Sequence, residues 1–508
     1  MYLTQALHGA VQQDRERTLT ICGDTVRSAG ACADRVARFA GGLRALGVGR
    51  GDRVAVLGRN SDRYHESLLA VAWADAVVVP VNNRWTPAEV AFALRDCGAS
   101  VLLVDEAHLP IVDAIRRPAL PAVVVVLAGT EAPAGSIAME RLLAENEPMA
   151  DSRRGGGDLF GIFYTGGTTG QAKGVMLSHA NVLASALGSL ATGQFATPGG
   201  RLLHAAPMFH LADLATWVAM LIAGGSHVMV PGFTPAAVLS AIDRHQVTDV
   251  LLVPTMIQLL VDFPDAARYD VSSLRRLLYG GSSMPESLLP RARKLFPQAG
   301  FVQAYGMTEL APVATLLLPA DHDAPELARS AGRAAPHAEV RIVDRGGGEA
   351  PRGTVGEIVV RGDHVMVGYW ERPGETADAL RDGWLHTGDG GYMDQHGYVY
   401  LVDRIKDMII SGDENVYSAE VETALARHPA VASCAVVGLP DAQWGERVHA
   451  IVVLRPGAGA TVDELREFCR GHIAGYKIPR SVEFVASLPV SGVGKILKRQ
   501  LRDERRPR

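Results

Sequence analysis

The stretch from residue 77 to residue 104, VVVPVNNRWTPAEVAFALRDCGASVLLV, consists of two apolar runs on either side of a segment with helix signals. Thr86 is placed to cap that helix, Pro87 suits its first turn, and Glu89 completes a capping box. Apolar runs without alternating polar residues are typical of parallel strands that helices cover on both faces. The stretch therefore predicts a strand, a helix and a second strand in an α/β layer architecture.

The same pattern occurs elsewhere in the chain, with RVAVLG at 53–58 and with a helix start at Thr234 that precedes the apolar runs VTDVLLVP and RRLLYGG. Beyond about residue 400, shorter strands alternate with two short helices, as in small α+β domains. We predict an α/β fold whose large N-terminal domain contains mixed parallel sheets sandwiched by helices, followed by a small mobile α+β domain. The predicted bounds are 1–402 for the N-terminal domain, 403–406 for a charged hinge and 407–508 for the C-terminal domain.

Composition restricts the classes of protein that fit this chain. Its 508 residues exceed the roughly 250 to 300 over which one core can grow, so at least two folding units are expected. A net charge of −5 predicts neither a nucleic-acid partner nor binding to acidic lipids. Five scattered cysteines and no apolar run of about 18 residues predict a cytoplasmic protein without a transmembrane segment. The sequence does not determine the oligomeric state, and a homodimer is one arrangement that it allows.

A loop rich in glycine and threonine, FYTGGTTGQAKG at 163–174, follows an apolar strand. Glycine lets a backbone approach phosphate groups closely, and the hydroxyls of Thr165, Thr168 and Thr169 add hydrogen-bond donors. Lys173 adds a positive charge. Such a loop is also typical of an ordinary tight turn, and the stretch alone favours neither interpretation.

The loop does not have the spacing of a Walker phosphate loop, in which lysine follows glycine directly and a helix begins at once. Two residues separate Gly170 from Lys173, and the segment GVMLS precedes Ser178, which is placed to cap the next helix. The sequence therefore does not predict cleavage between the β- and γ-phosphates of a nucleotide.

Four further motifs follow the loop in a fixed order: AYGMTE (304–309), WLHTGDGGY (384–392), DRIKDMIISGDENVYSAEVE (403–422) and SGVGKILKR (491–499). Together with the loop they resemble the acyl-adenylate-forming superfamily, which includes acyl- and aryl-CoA ligases, adenylation domains and luciferases. The resemblance covers about residues 10 to 500. It implies that a fatty or aromatic carboxylic acid reacts with ATP to give acyl-AMP and pyrophosphate, and that coenzyme A then takes the acyl group.

The resemblance assigns roles to four residues in the chemical step. It implies that Lys495 neutralises charge at the α-phosphate, that Glu309 and Thr168 hold Mg²⁺, and that His210 gates the acyl pocket and approaches the α-phosphate. Taken singly, each residue also has an ordinary interpretation: a solvated lysine for Lys495, a surface carboxylate for Glu309, a loop hydroxyl for Thr168 and a structural histidine for His210. The residues implied to bind ATP are Thr165, Gly166, Gly167, Thr168, Thr169, Gly170, Lys173, Gly281, Ser282, Ala304, Tyr305, Gly306, Thr308, Asp389, Arg404 and Lys495.

The resemblance also implies an acyl pocket and a channel for coenzyme A. The pocket would be lined by His210, Trp217, Gly280 and Gly281. The hinge residue would be Lys406, about which the small domain turns between the two half-reactions. The residues implied to bind coenzyme A are Ser411, Gly412, Asp413, Trp444 and Arg447.

Asp413 departs from the family pattern, in which glycine usually stands at this position. A carboxylate there would narrow the channel and repel the phosphates of coenzyme A. Two interpretations remain: the side chain is tolerated, or it slows thioester formation so that acyl-AMP accumulates. An adenylating enzyme that loads the phosphopantetheine of a carrier protein is a further alternative. Outside this family, two further functions are compatible with the sequence: a phosphate-loop ATPase or kinase, and an inactive nucleotide sensor.

Overall fold

The computed structural model describes residues 1–115, 120–121, 123–127, 131–165, 172–282, 284–404, 407–411, 414–441, 443–489 and 496–505. The chain forms two compact units. The N-terminal unit comprises Met1–Val340 and Val360–Leu385, and the C-terminal unit comprises Arg341–Val359 and His386–Arg508. These bounds differ from the hinge at 403–406, which stays a prediction. Among the described residues, no helix is both long enough and apolar enough to cross a membrane.

The stretch at 77–104 folds as predicted, into a strand, a capped helix and a strand. The Thr86 amide donates to Glu89 Oε2 at 2.8 Å, and the Glu89 amide donates to Thr86 Oγ1 at 3.4 Å. Both strands pair in parallel with a third strand that lies between them. Their side chains are fully buried, because helices cover both faces of the sheet.

That sheet has eight strands, in the spatial order β19-β9-β8-β4-β3-β5-β6-β7. Strands β3 to β8 pair with one another in parallel, whereas β9 is antiparallel to β8 and β19 is antiparallel to β9. The bounds are β3 Arg53–Leu57, β4 Val77–Pro80, β5 Val101–Val104, β6 Val123–Val126, β7 Ile137–Ala138, β8 Leu159–Thr165, β9 Lys173–Ser178 and β19 Gly368–Tyr369.

The second sheet of the N-terminal unit has nine strands, in the order β16-β15-β14-β13-β12-β10-β11-β1-β2. Its central strands are parallel, and β2, β15 and β16 add antiparallel pairs at the two edges. The bounds are β1 Thr18–Cys22, β2 Thr25–Ser28, β10 Arg201–His204, β11 Ser226–Met229, β12 Asp249–Leu252, β13 Arg276–Gly280, β14 Gly300–Tyr305, β15 Thr315–Leu317 and β16 Arg333–Ala334. These two sheets confirm the predicted α/β fold with mixed parallel sheets.

Helices of the N-terminal unit connect and cover these strands. Polar side chains cap several of them, such as Ser61 before α3 and Thr234 before α9. The bounds are α1 Gln5–Gln13, α2 Ala29–Ala45, α3 Asp62–Trp73, α4 Pro87–Asp96, α5 Leu109–Ala114, α6 Met139–Glu145, α7 His179–Leu190, α8 Leu211–Ile222, α9 Pro235–His245, α10 Pro254–Val261, α11 Leu288–Leu295 and α12 Pro373–Ala379.

A third sheet has the strand order β17-β18-β21-β20, with β22 beside β21. A fourth sheet, with the order β24-β23-β26-β25 and with β27 beside β26, belongs to the C-terminal unit alone. Helices α13 and α14 pack against it around a core that includes Val421, Val436 and Leu465. The bounds are β17 Glu339–Val343, β18 Gly356–Arg361, β20 Leu380–Arg381, β21 Trp384–Met393, β22 Val399–Arg404, β23 Ile409–Ser411, β24 Glu414–Val416, β25 Val431–Asp441, β26 Gly445–Leu454, β27 Ser481–Phe484, α13 Ser418–Ala426, α14 Val462–Arg470 and α15 Lys498–Asp503.

Candidate active site

The predicted phosphate loop connects the antiparallel strands β8 and β9. Thr165 lies opposite Lys173 in the register of this pair, and the Thr165 hydroxyl donates to the Lys173 carbonyl at 3.5 Å. After β9, Ser178 caps α7, since its hydroxyl accepts from the Asn181 amide at 3.1 Å. A strand therefore separates the loop from the next helix, as the sequence predicted and unlike a Walker loop. Gly166, Gly167, Thr168, Thr169 and Gly170 lie outside the described residues.

Lys173 is held at the start of β9 by two neighbours that the sequence analysis missed. Its ammonium forms an ion pair with Glu375 of α12 and lies 5.0 Å from the centre of the Tyr369 ring. The Lys173 side chain keeps 23% of its surface exposed. Because a partly exposed ion pair contributes little to stability, the ion pair of Lys173 with Glu375 is a weak interaction.

Glu309 lies in a short 3₁₀ turn, Thr308–Leu310, after β14. It is 5% exposed, and its Oε1 accepts a hydrogen bond from the Tyr369 hydroxyl at 2.8 Å. The Glu309 carbonyl accepts from the Met366 amide at 2.9 Å. Tyr369 therefore touches both Lys173 and Glu309, which belong to two different predicted motifs.

The carboxyl ends of β13 and β14 bring a second group of predicted residues together. Gly280 lies opposite Ala304 in this parallel pair, and a Cβ atom at position 280 would approach the Ala304 oxygen to 2.5 Å. Gly281 has a φ of +76°, which glycine adopts without strain. Tyr305 ends β14 and is 8% exposed. Gly281 and Ser282 follow β13 directly in the chain, and Gly306 and Thr308 follow β14.

His210 occupies the position before the first turn of α8, and its ring lies 4.2 Å from that of Phe209. Asn60, which is 5% exposed, holds the connection from β10 to this histidine. The Asn60 amide group donates to the His204 carbonyl at 3.0 Å and to the Ala206 carbonyl at 2.8 Å. Asn60 Oδ1 accepts from the Met208 amide at 2.8 Å. One side chain thus sets the path of the backbone that leads to His210.

Replacement of Asn60 by alanine is expected to lower the free energy of unfolding of the N-terminal unit by about 2 to 3 kcal/mol, because it removes partners from buried backbone groups. Urea denaturation monitored by circular dichroism measures this change. Asn83→Ala is the matched control, since the Asn83 side-chain amide donates to the Gly58 carbonyl at 2.8 Å. A loss no larger than that of the control would contradict the role given to Asn60.

Trp217 of α8 lies in the core of the N-terminal unit and is fully buried. Its indole N–H donates to His65 Nδ1 at 2.8 Å. Burial, and to a smaller extent the nearby His204, lower the pKa of His65 to about 3. The side chain therefore packs against histidines, and its place in an acyl pocket stays a prediction.

Asp389 and Arg404, both predicted to bind ATP, lie opposite each other on β21 and β22 of the C-terminal unit. Arg404 Nε lies 2.7 Å from Asp389 Oδ1, and the Asp389 amide donates to Thr387 Oγ1 at 3.0 Å. Arg404 also donates to the Thr387 carbonyl at 3.4 Å. The carboxylate is thus held in one orientation by a guanidinium and by the strand.

The residues implied to bind coenzyme A lie in part on neighbouring strands. Ser411 pairs with Gly445 at the start of β26, next to Trp444. The guanidinium of Arg480, which the sequence analysis missed, lies 3.8 Å from the centre of the Trp444 ring. Arg447 Nη1 lies 3.9 Å from Asp441 Oδ2. Lys406, Gly412, Asp413 and Lys495 lie outside the described residues, so their roles stay predictions.

Mg²⁺ is implied by the family resemblance, and the described donor set is consistent with it. No group of three or more histidine, cysteine, aspartate or glutamate side chains suited to a metal occurs within the described part of the chain. Mg²⁺ in nucleotide sites is usually held by one or two carboxylates together with phosphates and water, so a single buried carboxylate, Glu309, is sufficient. Such an ion would neutralise charge on the phosphates of ATP.

Comparison with known proteins matches both parts of the chain. The model of the AMP-binding enzyme family matches residues 7–370, and that of the AMP-binding enzyme C-terminal domain matches residues 420–495. A feruloyl-CoA synthase from Amycolatopsis sp is 44% identical over 481 residues, which cover 94% of each chain. The fatty acid–[acyl-carrier-protein] ligase ScoC from Streptomyces coeruleorubidus is 37% identical over 92% of this chain and 89% of its own.

The fold agrees with that of a solved relative. ATP-bound MatB from Rhodopseudomonas palustris is 30% identical, with a TM-score of 0.89, and the alignment covers 99% of both chains. The similarity of whole chains, together with the order of the motifs, supports ATP-dependent activation of a carboxylic acid and its transfer to coenzyme A. The chain therefore belongs to the AMP-binding enzyme family and is an acid–thiol ligase.

Proposed function

We propose that the acid is aromatic, of the arylpropenoic kind to which ferulic acid belongs. The observation that carries this proposal is the higher identity to feruloyl-CoA synthase than to the fatty acid ligase ScoC, over similar fractions of the chain. A second candidate acceptor, the phosphopantetheine of a carrier protein, is supported by the similarity to ScoC, a fatty acid–[acyl-carrier-protein] ligase.

The proposed first step joins two anions. A carboxylate oxygen of the acid attacks the α-phosphorus of ATP, the bond to the β-phosphate breaks, and pyrophosphate leaves with the bonding electrons. Negative charge increases on the oxygens around phosphorus, so catalysis depends on positioning and neutralisation. We assign these tasks to Lys495 and Lys173, and Glu309 and Thr168 would hold a Mg²⁺ ion that would supply further positive charge.

The proposed second step transfers the acyl group. The sulfur of coenzyme A attacks the acyl carbonyl, AMP leaves, and the thiol proton passes to solvent. In the proposed arrangement Tyr305 lies against adenine. Arg404 orients the Asp389 carboxylate, which accepts hydrogen bonds from the ribose hydroxyls. The C-terminal domain, residues 407–508, turns about Lys406 between the two steps.

The proposal is tested by exchange of labelled pyrophosphate into ATP across a panel of acids, with and without coenzyme A. Ferulic and cinnamic acids are expected to support exchange better than octanoic and palmitic acids. AMP and the acyl-CoA thioester are expected as products, whereas ADP would indicate a kinase or ATPase. No exchange with any acid would indicate a nucleotide sensor. Exchange with fatty acids alone would overturn the proposed substrate class.

Replacement of Asp413 by glycine is expected to speed thioester formation from preformed acyl-AMP about tenfold, because it removes a charge from the implied coenzyme A channel. This factor corresponds to a decrease of about 1.4 kcal/mol in the activation free energy. Single-turnover mixing of the enzyme–acyl-AMP complex with coenzyme A measures this rate. Pyrophosphate exchange serves as the internal control, because the first step does not use the channel. Equal rates of thioester formation in Asp413→Gly and in the parent chain would contradict the hypothesis that Asp413 slows this step.

We propose a cytoplasmic location on the basis of thiol chemistry. Cys22, Cys32, Cys97, Cys434 and Cys469 are all free thiols. Burial raises the pKa of Cys97 to about 11 and that of Cys434 to about 12, so both stay protonated and unreactive at neutral pH. Free thiols of this kind are typical of a reducing compartment.

A further inference from the structure

Tyr369 lies at a point where three parts of the N-terminal unit meet. Strand β19, which contains it, pairs with β9, and Tyr369 stands opposite Val175 in that register. The Tyr369 amide donates to Thr376 Oγ1 at 2.9 Å, and the Thr376 hydroxyl donates in turn to the Arg372 carbonyl at 2.8 Å. The backbone of Tyr369 is thereby fixed from both sides, by a strand and by the first turn of α12.

The side chain of Tyr369 contacts two described side chains by different interactions. Its hydroxyl donates to Glu309 Oε1 at 2.8 Å, and Lys173 Nζ lies 5.0 Å from the centre of its ring. A hydrogen bond to a carboxylate is stronger than one between neutral groups, and a cation near an aromatic face is attracted by the π electrons. The Tyr369 side chain, which has only two rotatable bonds, therefore holds both the orientation of the Glu309 carboxylate and the position of the Lys173 ammonium.

We propose that Tyr369 is a positioning residue that aligns Glu309 and Lys173 for the magnesium complex of ATP. The inference rests on the proposed function, in which Glu309 holds the metal and Lys173 faces the phosphates. A carboxylate that rotates freely loses orientational entropy when it binds a metal ion, whereas one already held by a hydroxyl loses less. The ring attracts the Lys173 ammonium, and the hydroxyl of the same side chain holds the Glu309 carboxylate.

Two substitutions separate the contributions of the hydroxyl and the ring. Tyr369→Phe removes the hydrogen bond to Glu309 and keeps the aromatic face beneath Lys173. Tyr369→Ala removes both contacts. Tyr164→Phe is the matched control, because the Tyr164 hydroxyl also donates to a carboxylate of the same unit, Asp96 Oδ2, at 2.6 Å.

Isothermal titration calorimetry with ATP, in MgCl₂ and separately in EDTA, measures binding without turnover. Tyr369→Phe is expected to raise the dissociation constant about tenfold in MgCl₂ and to leave it unchanged in EDTA, because only the metal complex engages Glu309. Tyr369→Ala is expected to weaken binding in both conditions, since Lys173 then loses its support. Tyr164→Phe is expected to leave both constants at their parent values.

The outcomes distinguish this inference from the proposed function. If the parent chain catalyses acid-dependent pyrophosphate exchange and Tyr369→Phe binds ATP in MgCl₂ as tightly as the parent chain does, the positioning role is wrong while the function stands. An equal loss in both conditions, together with a lower unfolding temperature than Tyr164→Phe, would indicate a purely structural role and also overturn the inference. If the parent chain catalyses no exchange, the proposed function itself fails.

Discussion

Replacement of Lys495 by methionine is expected to lower the rate of acyl-AMP formation by about 100- to 1000-fold, while the dissociation constant for ATP changes little. The attacking carboxylate and the α-phosphate are both negative, and charge increases on the phosphate oxygens as the new bond forms. Removal of one preorganised partner of such charge typically costs a factor of about 10² to 10³. Pyrophosphate exchange at saturating acid measures the rate, and calorimetry measures ATP binding.

The matched control is Lys294→Met, since Lys294 lies on the exposed side of α11 in the N-terminal unit. This variant is expected to keep the parent rate of exchange. The rate of thioester formation from supplied acyl-AMP is expected to change much less in Lys495→Met than the rate of the first step. An exchange rate in Lys495→Met equal to that of the parent chain would contradict the proposed mechanism.

Acidification from pH 7 to pH 5 is expected to lower the free energy of unfolding of the N-terminal unit by about 2 kcal/mol through the buried His65, and His227 contributes a change of the same sign. His65, His204 and His227 form a buried histidine cluster in which all three side chains are fully buried. Burial lowers the pKa of His65 to about 3 and lowers that of His227 well below its ordinary value. The ionisable neighbours of the cluster are Asp213, 2.6 Å from His204 Nδ1, and Arg17.

The sign follows from proton uptake by the two states. Below about pH 6.5 the unfolded chain binds a proton at each histidine that the folded chain does not bind, so stability decreases as pH falls from about 6.5 towards 3. At pH 5 the contribution of His65 is a loss of about 2 kcal/mol, and that of His227 has the same sign. The stabilisation is fully present above the unfolded pKa.

Urea denaturation at several pH values tests this expectation. The double replacement His65→Gln and His227→Gln is expected to reduce the slope of stability against pH between 7 and 5, whatever its effect at pH 7. His396→Gln is the control, because His396 is exposed. A slope that is the same in the double variant and in the parent chain would show that other groups cause the acid sensitivity.

Much of the fold could be predicted from local signals. The capping box of Thr86 and Glu89 marks the start of α4, and a second box at Thr461 and Glu464 marks the start of α14. These signals depend on residues three apart in sequence, so no tertiary information is required. The place of Ser178 at the start of α7 followed from the same reasoning.

The candidate site could be predicted only in part. Motif order led to Glu309, Asp389 and Arg404, and the structure brings the last two within 2.7 Å of each other. Tyr369, Glu375, Asn60 and Arg480 carried no signal that the sequence analysis used. Each of them acts through a partner far away along the chain, and no spacing in the sequence reports such a pair.

The sequence by itself determined the class of reaction, the order of the elements and the residue types that phosphate, metal and acid require. It did so because glycine loops, helix caps and charged motifs act over a few neighbouring residues. Only the tertiary structure decided that β19 pairs with β9, which places the Tyr369 hydroxyl on Glu309 and its ring beneath Lys173. Pairing between distant strands depends on the packing of the whole sheet, and the free energy of that packing is not encoded in any short stretch.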